Sequence, residues 1–131
     1  MPAFNFQKRF ATQITSGTKL STIRAERKDK RSPAAVGDEV TLYTGMRTKN
    51  CNKLAKARIS AVRTFMITNR RNNDGFDFTG YLDGMPLSET SLHQLAIADG
   101  FENAQEMIEF FDKTYSIPFA GWHISWEGLD K

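Results

Sequence analysis

The stretch ITSGTKLSTIR, residues 14–24, decides the fold prediction, because a helix ends and a strand begins within it. Gly17 suits the left-handed turn that follows a helix, so the pattern predicts a helix end and then a strand. This local structure accounts for the glycine and the isoleucine. It does not require Lys19, Thr22 and Arg24 at their spacing, and these three side chains are therefore candidates for a chemical role.

The composition predicts one globular domain over residues 1–131. With 131 residues, of which 40% are hydrophobic, the chain is long enough to bury a single core. No apolar stretch approaches the roughly 18 uncharged residues that a membrane span needs, and the N-terminus lacks the apolar block of a secretory signal. We therefore expect a soluble, cytoplasmic protein that does not bind membranes; the sequence leaves its oligomeric state open.

Metal and disulfide chemistry have few suitable residues. The chain has one cysteine, Cys51, and two histidines, so an internal disulfide and the usual zinc clusters cannot be assembled. Cys51 has no evident partner base and is interpreted as an incidental thiol. The sequence predicts no metal and no organic cofactor.

Charge is segregated along the chain. Residues 1–71 hold 16 Lys and Arg against 4 Asp and Glu, whereas residues 72–131 hold 2 against 11, within a net charge of +3. Attraction between the two halves is one interpretation, and a basic face for a polyanion such as RNA is the other. The candidate phosphate contacts are Arg27, Lys28, Lys30, Arg31, Arg47, Lys49, Lys53 and Lys56.

Hydrophobic periodicity places the remaining elements. Strands are predicted over residues 39–44, 56–67, 76–82 and 121–127, and helices over residues 6–16, over 89–98 and after 103. Asn103 and Glu106 have the spacing of a capping box at the start of the last helix. Several strands and three short helices without βαβ alternation predict an α+β domain on a small, mainly antiparallel sheet or barrel.

The order of motifs FQKRF, ITSGTKLSTIR, VGDEVTLY, LAIADGF, FFDKTY and GWHISWE resembles the ASCH family, small barrels related to the PUA RNA-binding fold. The resemblance covers nearly the whole chain. Its most specific part is Gly-x-Lys-x-x-Thr-Ile-Arg at residues 17–24, followed by Gly37 and Asp38 at the start of a strand. It implies a mainly antiparallel β-barrel of PUA-like type with short flanking helices.

The best-defined activity of that family is hydrolysis of the amide that links the acetyl group to acetylcytidine. By resemblance, Lys19 matches the catalytic lysine and Thr22 the threonine proposed as nucleophile. Asp99 falls where hydrolytic members carry a glutamate, which is longer by one methylene. The implied function is a metal-independent amidohydrolase acting on a cytosine nucleoside or a related modified base. Since other members bind or cut RNA, an RNA-binding module and a ribonuclease stay open as alternatives.

The same residues can be assigned roles from chemistry alone. A threonine hydroxyl attacks well only when a base takes its proton, and Lys19 is a base only if burial or nearby cations keep it partly neutral. A carboxylate such as Asp99 can carry a proton to the leaving amine. Positions three apart face opposite sides of a regular strand, so Lys19 and Thr22 share a pocket only if the chain turns between them.

Each candidate also has a structural interpretation. Lys19 could be a solvated lysine at a helix end, Thr22 an ordinary strand residue, and Asp99 a salt-bridge partner of the basic half. Arg24 either holds a strand against the acidic helices or donates to a phosphate or carbonyl oxygen. Tyr43 and His123 alternate with the apolar residues of their strands, so both are candidates for substrate binding.

Overall fold

The fold is described from a computed structural model that covers residues 3–27, 29, 31–69 and 78–130, with side chains through residue 127. Its strands are β1 Ala3–Phe6, β2 Ser21–Ala25, β3 Glu39–Thr44, β4 Asn52–Thr68, β5 Thr79–Leu82, β6 Met85–Pro86 and β7 Phe119–Asp130. Its helices are α1 Ala11–Thr15, which follows a 3-10 turn at Lys8–Phe10, then α2 Glu89–Ala98 and α3 Ala104–Tyr115. No helix among these residues is long and apolar enough to cross a membrane.

The long strand β4 organises a seven-stranded sheet. One of its edges pairs with β7, and the other pairs with β3 and then with β5. β2 adds antiparallel to β7, β6 adds to β5, and β1 adds to β3 in the parallel direction. The predicted α+β class and the mainly antiparallel sheet are confirmed. β1 and β2 do not pair with each other within the described residues, so the sheet is open and closure into a barrel stays a prediction.

The core lies between the sheet and the helices. On β7 the inward residue Ile124 is fully buried, as the sequence predicts. On β3 Val40 and Leu42 are fully buried, but Thr41 is buried as well, so the predicted half-buried alternation of that strand is wrong. Helix α3 buries the apolar stripe that includes Met107 and Phe111. The predicted capping box is partly realised, because the Asn103 side chain accepts a hydrogen bond of 2.8 Å from the Glu106 main-chain N–H.

The first helix and strand β4 begin at different residues from those predicted, and β7 is longer at both ends, at Phe119–Asp130 against the predicted 121–127. The predicted helix over residues 6–16 begins only at the 3-10 turn Lys8–Phe10, because residues 3–6 form strand β1 instead. β1 buries Phe4 and Phe6 and is held by parallel pairing with β3, a tertiary contact that a four-residue pattern does not reveal. Strand β4 also starts four residues earlier than predicted, at Asn52.

Gly100 lets the end of α2 approach α1 closely. Its φ is +100°, and a Cβ there would lie 2.3 Å from Gln13 Oε1 and 2.9 Å from Phe10 Cδ1. The Gln13 side-chain amide also donates to the Gly100 carbonyl at 3.2 Å. Asp99, the preceding residue, is thereby held against the loop that follows α1.

We predict that Gly100→Ala destabilises the fold more than Gly84→Ala does. Both glycines have positive φ, so alanine costs about 1–2 kcal/mol of backbone strain at each. Only Gly100 lacks room for a Cβ, since the space around Gly84 is open within 4 Å. Urea unfolding should therefore show an additional loss of about 1–3 kcal/mol for Gly100→Ala. Equal losses in the two variants would contradict the close approach of α2 to α1.

Candidate functional site

A cavity of about 220 Å³ lies at the open side of the sheet, between the edge strands β1 and β2. Its lining includes Lys19, Thr22, Arg24 and Asp99. Aromatic rings from the 3-10 turn, from the residue that follows Gly100 and from α3 form the apolar wall. The structure therefore brings the three predicted catalytic side chains and one predicted substrate-binding side chain to one cavity.

The loop between α1 and β2 explains how Lys19 and Thr22 reach the same cavity. Gly17 has a φ of +82°, and the main-chain N–H groups of Thr18 and Lys19 both donate to Gln13 O at 3.0 Å. The chain thus folds back over the end of α1 before the strand begins at residue 21. Because Lys19 precedes the regular strand, strand alternation does not separate it from Thr22.

The Lys19 amine is buried and is held by main-chain oxygens. Only 3% of Lys19 is exposed. Its Nζ donates to Ser21 O at 2.7 Å and to the main-chain oxygen of Asp99, and it lies 4.9 Å from the centre of the Phe10 ring. The hydrogen bond between Lys19 and Asp99 thus uses the Asp99 carbonyl, not its carboxylate.

Burial lowers the pKa of the Lys19 ammonium from 10.5 to about 8. The negative charge of Asp99 works in the opposite direction and raises the pKa, whereas the positive charges of Arg24 and Arg9 lower it. With a pKa of about 8, roughly a tenth of Lys19 is neutral at pH 7. Lys19 is therefore a usable base at neutral pH, which an ordinary solvated lysine is not.

The Asp99 carboxylate has its own partners. Asp99 is 1% exposed, and its Oδ1 accepts a hydrogen bond from Ser21 Oγ and lies 3.3 Å from His123 Nε2. These contacts hold an acid at the C-terminal end of α2, where the helix dipole disfavours it. Sequence reasoning missed Ser21, since a serine two residues after Lys19 gives no sign that it will face a helix end.

Thr22 is buried within β2, with 5% of its surface exposed, and lines the cavity. Its position is fixed by pairing with Ile124 on β7. Within the described residues no side chain or main-chain group forms a hydrogen bond with the Thr22 hydroxyl, including the Lys19 amine. The hydroxyl is thus free to meet a ligand.

The main chain of Ile23 adds a donor and an acceptor to the cavity. Glu26 N–H donates to Ala120 O, and Trp126 N–H donates to Leu20 O, so even-numbered residues of β2 turn their main-chain groups toward β7. The N–H and C=O groups of successive residues in a strand point alternately to its two edges. The N–H and C=O of Ile23 therefore point to the open edge, where Ile23 lines the cavity. Strand register, which the sequence did not supply, was needed to find this pair.

Arg24 spans the gap between the edge strands. Its Nη2 donates to Asn5 O on β1 at 2.9 Å, and its guanidinium lies 4.9 Å and 4.7 Å from the Phe4 and Phe6 ring centres. Burial lowers the pKa of Arg24 to about 10, with Tyr115 opposing the shift, so the group stays charged at pH 7. Within the described residues it forms no ion pair with the acidic helices.

The other two substrate-binding candidates lie elsewhere. Tyr43 is half-buried on β3 and does not line this cavity, because β1 pairs with β3 and stands between Tyr43 and the open edge. His123 also does not line it, but its imidazole contacts Asp99 from β7. His123 thus reaches the site indirectly, through the carboxylate.

The predicted phosphate contacts do not gather at the cavity. Lys28 and Lys30 lie outside the described residues. Arg27, Arg31, Arg47, Lys49 and Lys53 are exposed, and Lys56 is half-buried. None of these six lines the cavity, and none pairs with a carboxylate in the described part of the chain. Ion pairs between the basic residues 1–71 and the acidic residues 72–131 form elsewhere: Arg9 pairs with Glu106, and Arg63 lies 4.0 Å from Asp83.

Comparison with protein-family models, with curated proteins and with solved structures gave no match. Among residues 3–27, 29, 31–69 and 78–130, no three His, Cys, Asp or Glu side chains form a group that could hold a metal ion. The ASCH assignment thus remains a proposal. The polar side chains that could take part in a reaction in this cavity are Lys19, Thr22, Asp99 and Arg24.

We predict opposite pKa shifts of Lys19 in two variants. Asp99→Asn should lower the Lys19 pKa below about 8, because it removes the charge that favours the ammonium. Arg24→Gln should raise it, because it removes a repelling charge. NMR titration of ¹³Cε-labelled lysine measures both. Shifts of the same sign, or a wild-type midpoint near 10.5, would contradict the electrostatics of the site.

Proposed function

We propose that this protein is a metal-independent amidohydrolase of the ASCH type that removes an acyl group from the exocyclic amine of a cytosine nucleoside or related modified base. One observation carries the proposal: Lys19, a buried amine with a pKa of about 8, lines the same cavity as the Thr22 hydroxyl. A base and a nucleophile in one enclosed site fit acyl transfer. The sheet then corresponds to a PUA-like barrel whose wall is interrupted between β1 and β2.

The reaction would proceed through an acyl-threonine. Neutral Lys19 takes the proton of Thr22 as Oγ1 attacks the acyl carbonyl carbon. The carbon–nitrogen bond then breaks, and the Lys19 ammonium returns the proton to the departing cytosine amine. Water, with Lys19 again as base, cleaves the ester and releases the carboxylic acid. The net reaction consumes one water and yields the free amine and the acid.

The two main-chain oxygens around Lys19 support its role as base. A neutral amine has two N–H donors and one lone pair, and the ammonium has three donors. If the two N–H groups of the neutral form stay on Ser21 O and Asp99 O, the lone pair is left to face away from them. The mechanism requires this lone pair to reach the Thr22 hydroxyl when substrate binds.

Asp99 fits a positioning role better than the proton-shuttle role expected from the sequence. Its carboxylate accepts a hydrogen bond from Ser21 and lies beside the His123 imidazole, and its carbonyl accepts a hydrogen bond from Lys19. The shorter side chain then has no need to reach the substrate. The role of His123 would be to hold this carboxylate in place.

The remaining lining suits a pyrimidine base. Rings such as Phe10 and Phe101 supply a surface for stacking, and the Ile23 N–H and C=O supply the donor and acceptor that a base edge pairs with. Arg24, on the β1 side of the cavity, stays charged and can donate to an oxygen of the ligand. A volume of about 220 Å³ is small for a ligand pocket, which favours a base inside the cavity and a sugar at its mouth.

We predict that the purified protein cleaves N4-acetylcytidine to cytidine and acetate. Lys19→Met and Thr22→Val should each lower kcat/KM by a factor of about 10³ or more, and the double variant should lose little beyond either one, because the two groups act as a unit. Thr41→Val is the matched control, since Thr41 is a buried sheet threonine outside the cavity. Retention of activity in Lys19→Met would rule out this mechanism.

The rate should also depend on pH in a defined direction. Only the neutral form of Lys19 is a base, so kcat/KM should rise through pH 8 and level off above it, as the ammonium with a pKa of about 8 loses its proton. Arg24→Gln should move this midpoint upward. A rate that falls between pH 7 and pH 9 would mean that the protonated amine is the active form.

RNA binding is the second candidate function, favoured by the five exposed basic side chains that no described carboxylate neutralises. RNA affinity should then fall with salt at a log–log slope of about −0.7 per phosphate contacted. Arg47→Gln, Lys49→Gln and Lys53→Gln together should flatten that slope, whereas Lys113→Gln on α3 should not. RNA binding without acetate release would favour a binding module, and shortened RNA would favour a ribonuclease.

A further inference from the structure

A second cavity, of about 400 Å³, lies on the other side of Arg24. Arg24 lines both cavities and so forms part of the wall between them. The second cavity is also lined by Phe4 of β1, by Arg27 and by Pro33. A ligand that fills the first cavity and continues past Arg24 would enter this space.

Arg24 has donors left for such a ligand. A guanidinium carries five N–H donors, and within the described residues only one hydrogen bond uses them, from Nη2 to Asn5 O. The Phe4 and Phe6 rings beneath it fix its plane. An arginine fixed in this way can present a planar pair of donors, which matches phosphate and carboxylate oxygens.

Arg27 supplies a second positive charge to the same cavity. It is exposed in the segment that follows β2. No carboxylate lines this cavity, and in the described part of the chain neither arginine forms an ion pair. Two guanidinium groups beside one concave space, without a neutralising acid, favour an anionic ligand.

We propose that this second cavity is a phosphate subsite, formed by Arg24 and Arg27, that takes the phosphate of a nucleotide whose base occupies the first cavity. The assignment of the base rests on the proposed function, whereas anion binding at the two arginines does not. The substrate class is thereby narrowed from a free nucleoside to a nucleotide. The phosphate belongs either to a mononucleotide or to an RNA chain.

The test compares acetylated substrates with and without phosphate. For the wild type, kcat/KM should be about tenfold higher for N4-acetylcytidine 5′-monophosphate than for N4-acetylcytidine, because charge-assisted hydrogen bonds form only with the phosphate. Arg27→Gln should reduce this ratio to about one. Arg58→Gln is the matched control, since it removes the same charge from an exposed position on β4 that does not line the cavity, and it should keep the ratio.

A binding measurement separates this proposal from the proposed reaction. Calorimetry with cytidine and cytidine 5′-monophosphate needs no turnover, and Arg27→Gln should abolish the preference for the monophosphate. If no amide is cleaved but this preference persists, the hydrolase proposal fails and the phosphate subsite stands. Equal affinity for the two ligands, or equal losses in Arg27→Gln and Arg58→Gln, would overturn the subsite.

A third arm identifies the source of the phosphate. A short RNA with one internal acetylcytidine carries the same phosphate chemistry as a diester. An Arg27-dependent preference for the oligomer over the monophosphate supports the subsite with RNA as its source, and the reverse preference supports it with a mononucleotide. Absence of any Arg27 dependence in both arms would refute it.

Discussion

The site depends on the burial of the Lys19 amine between two main-chain oxygens. Its Nζ joins the loop after α1 to Ser21 O in β2 and to Asp99 O at the end of α2. Removal of a charged amine from water is costly, and here the cost appears as a pKa of about 8. The packing that brings these three elements together therefore also buries the amine and lowers its pKa.

The open side of the sheet gives this amine access to a ligand. A strand paired on both edges offers no main-chain donors or acceptors to a ligand, but among the described residues β2 pairs only with β7 and β1 only with β3. The gap leaves Ile23 main-chain groups, the Thr22 hydroxyl and Arg24 at one cavity. The hydrogen bond from Arg24 to Asn5 O links the two edges without closing the gap. The open edge of the sheet and the cavity are therefore one feature of the fold.

Local patterns in the sequence predicted those parts of the fold that local forces decide. The strand at Glu39–Thr44 and the helix at Glu89–Ala98 follow from periodicity, and the Asn103 cap follows from its side chain. Strand β1 could not be predicted in this way, because four residues carry too little period and parallel pairing with β3 decides their structure. In contrast, it was the family resemblance that predicted Lys19, Thr22 and Asp99 to lie at one site.

The hydrogen-bond partners of the side chains within the site could not be predicted from the sequence. Nothing in the pattern indicates that Asp99 turns its carboxylate to Ser21 and His123 and gives Lys19 only its carbonyl, since helix packing through Gly100 sets that geometry. The position of Tyr43 away from the cavity could not be predicted for a similar reason, because alternation identifies the outer face of β3 but not the strand that covers its edge.

In the proposed mechanism, Thr22 Oγ1 carries the acyl group in the intermediate, whereas Lys19 acts as the base and never carries it. Mass spectrometry of protein quenched in acid during turnover of excess N4-acetylcytidine tests this most directly. The predicted result is one acetyl group on Thr22, absent from Thr22→Val. An acetyl group on Lys19, or steady acetate release from a protein that carries no acetyl group, would contradict it.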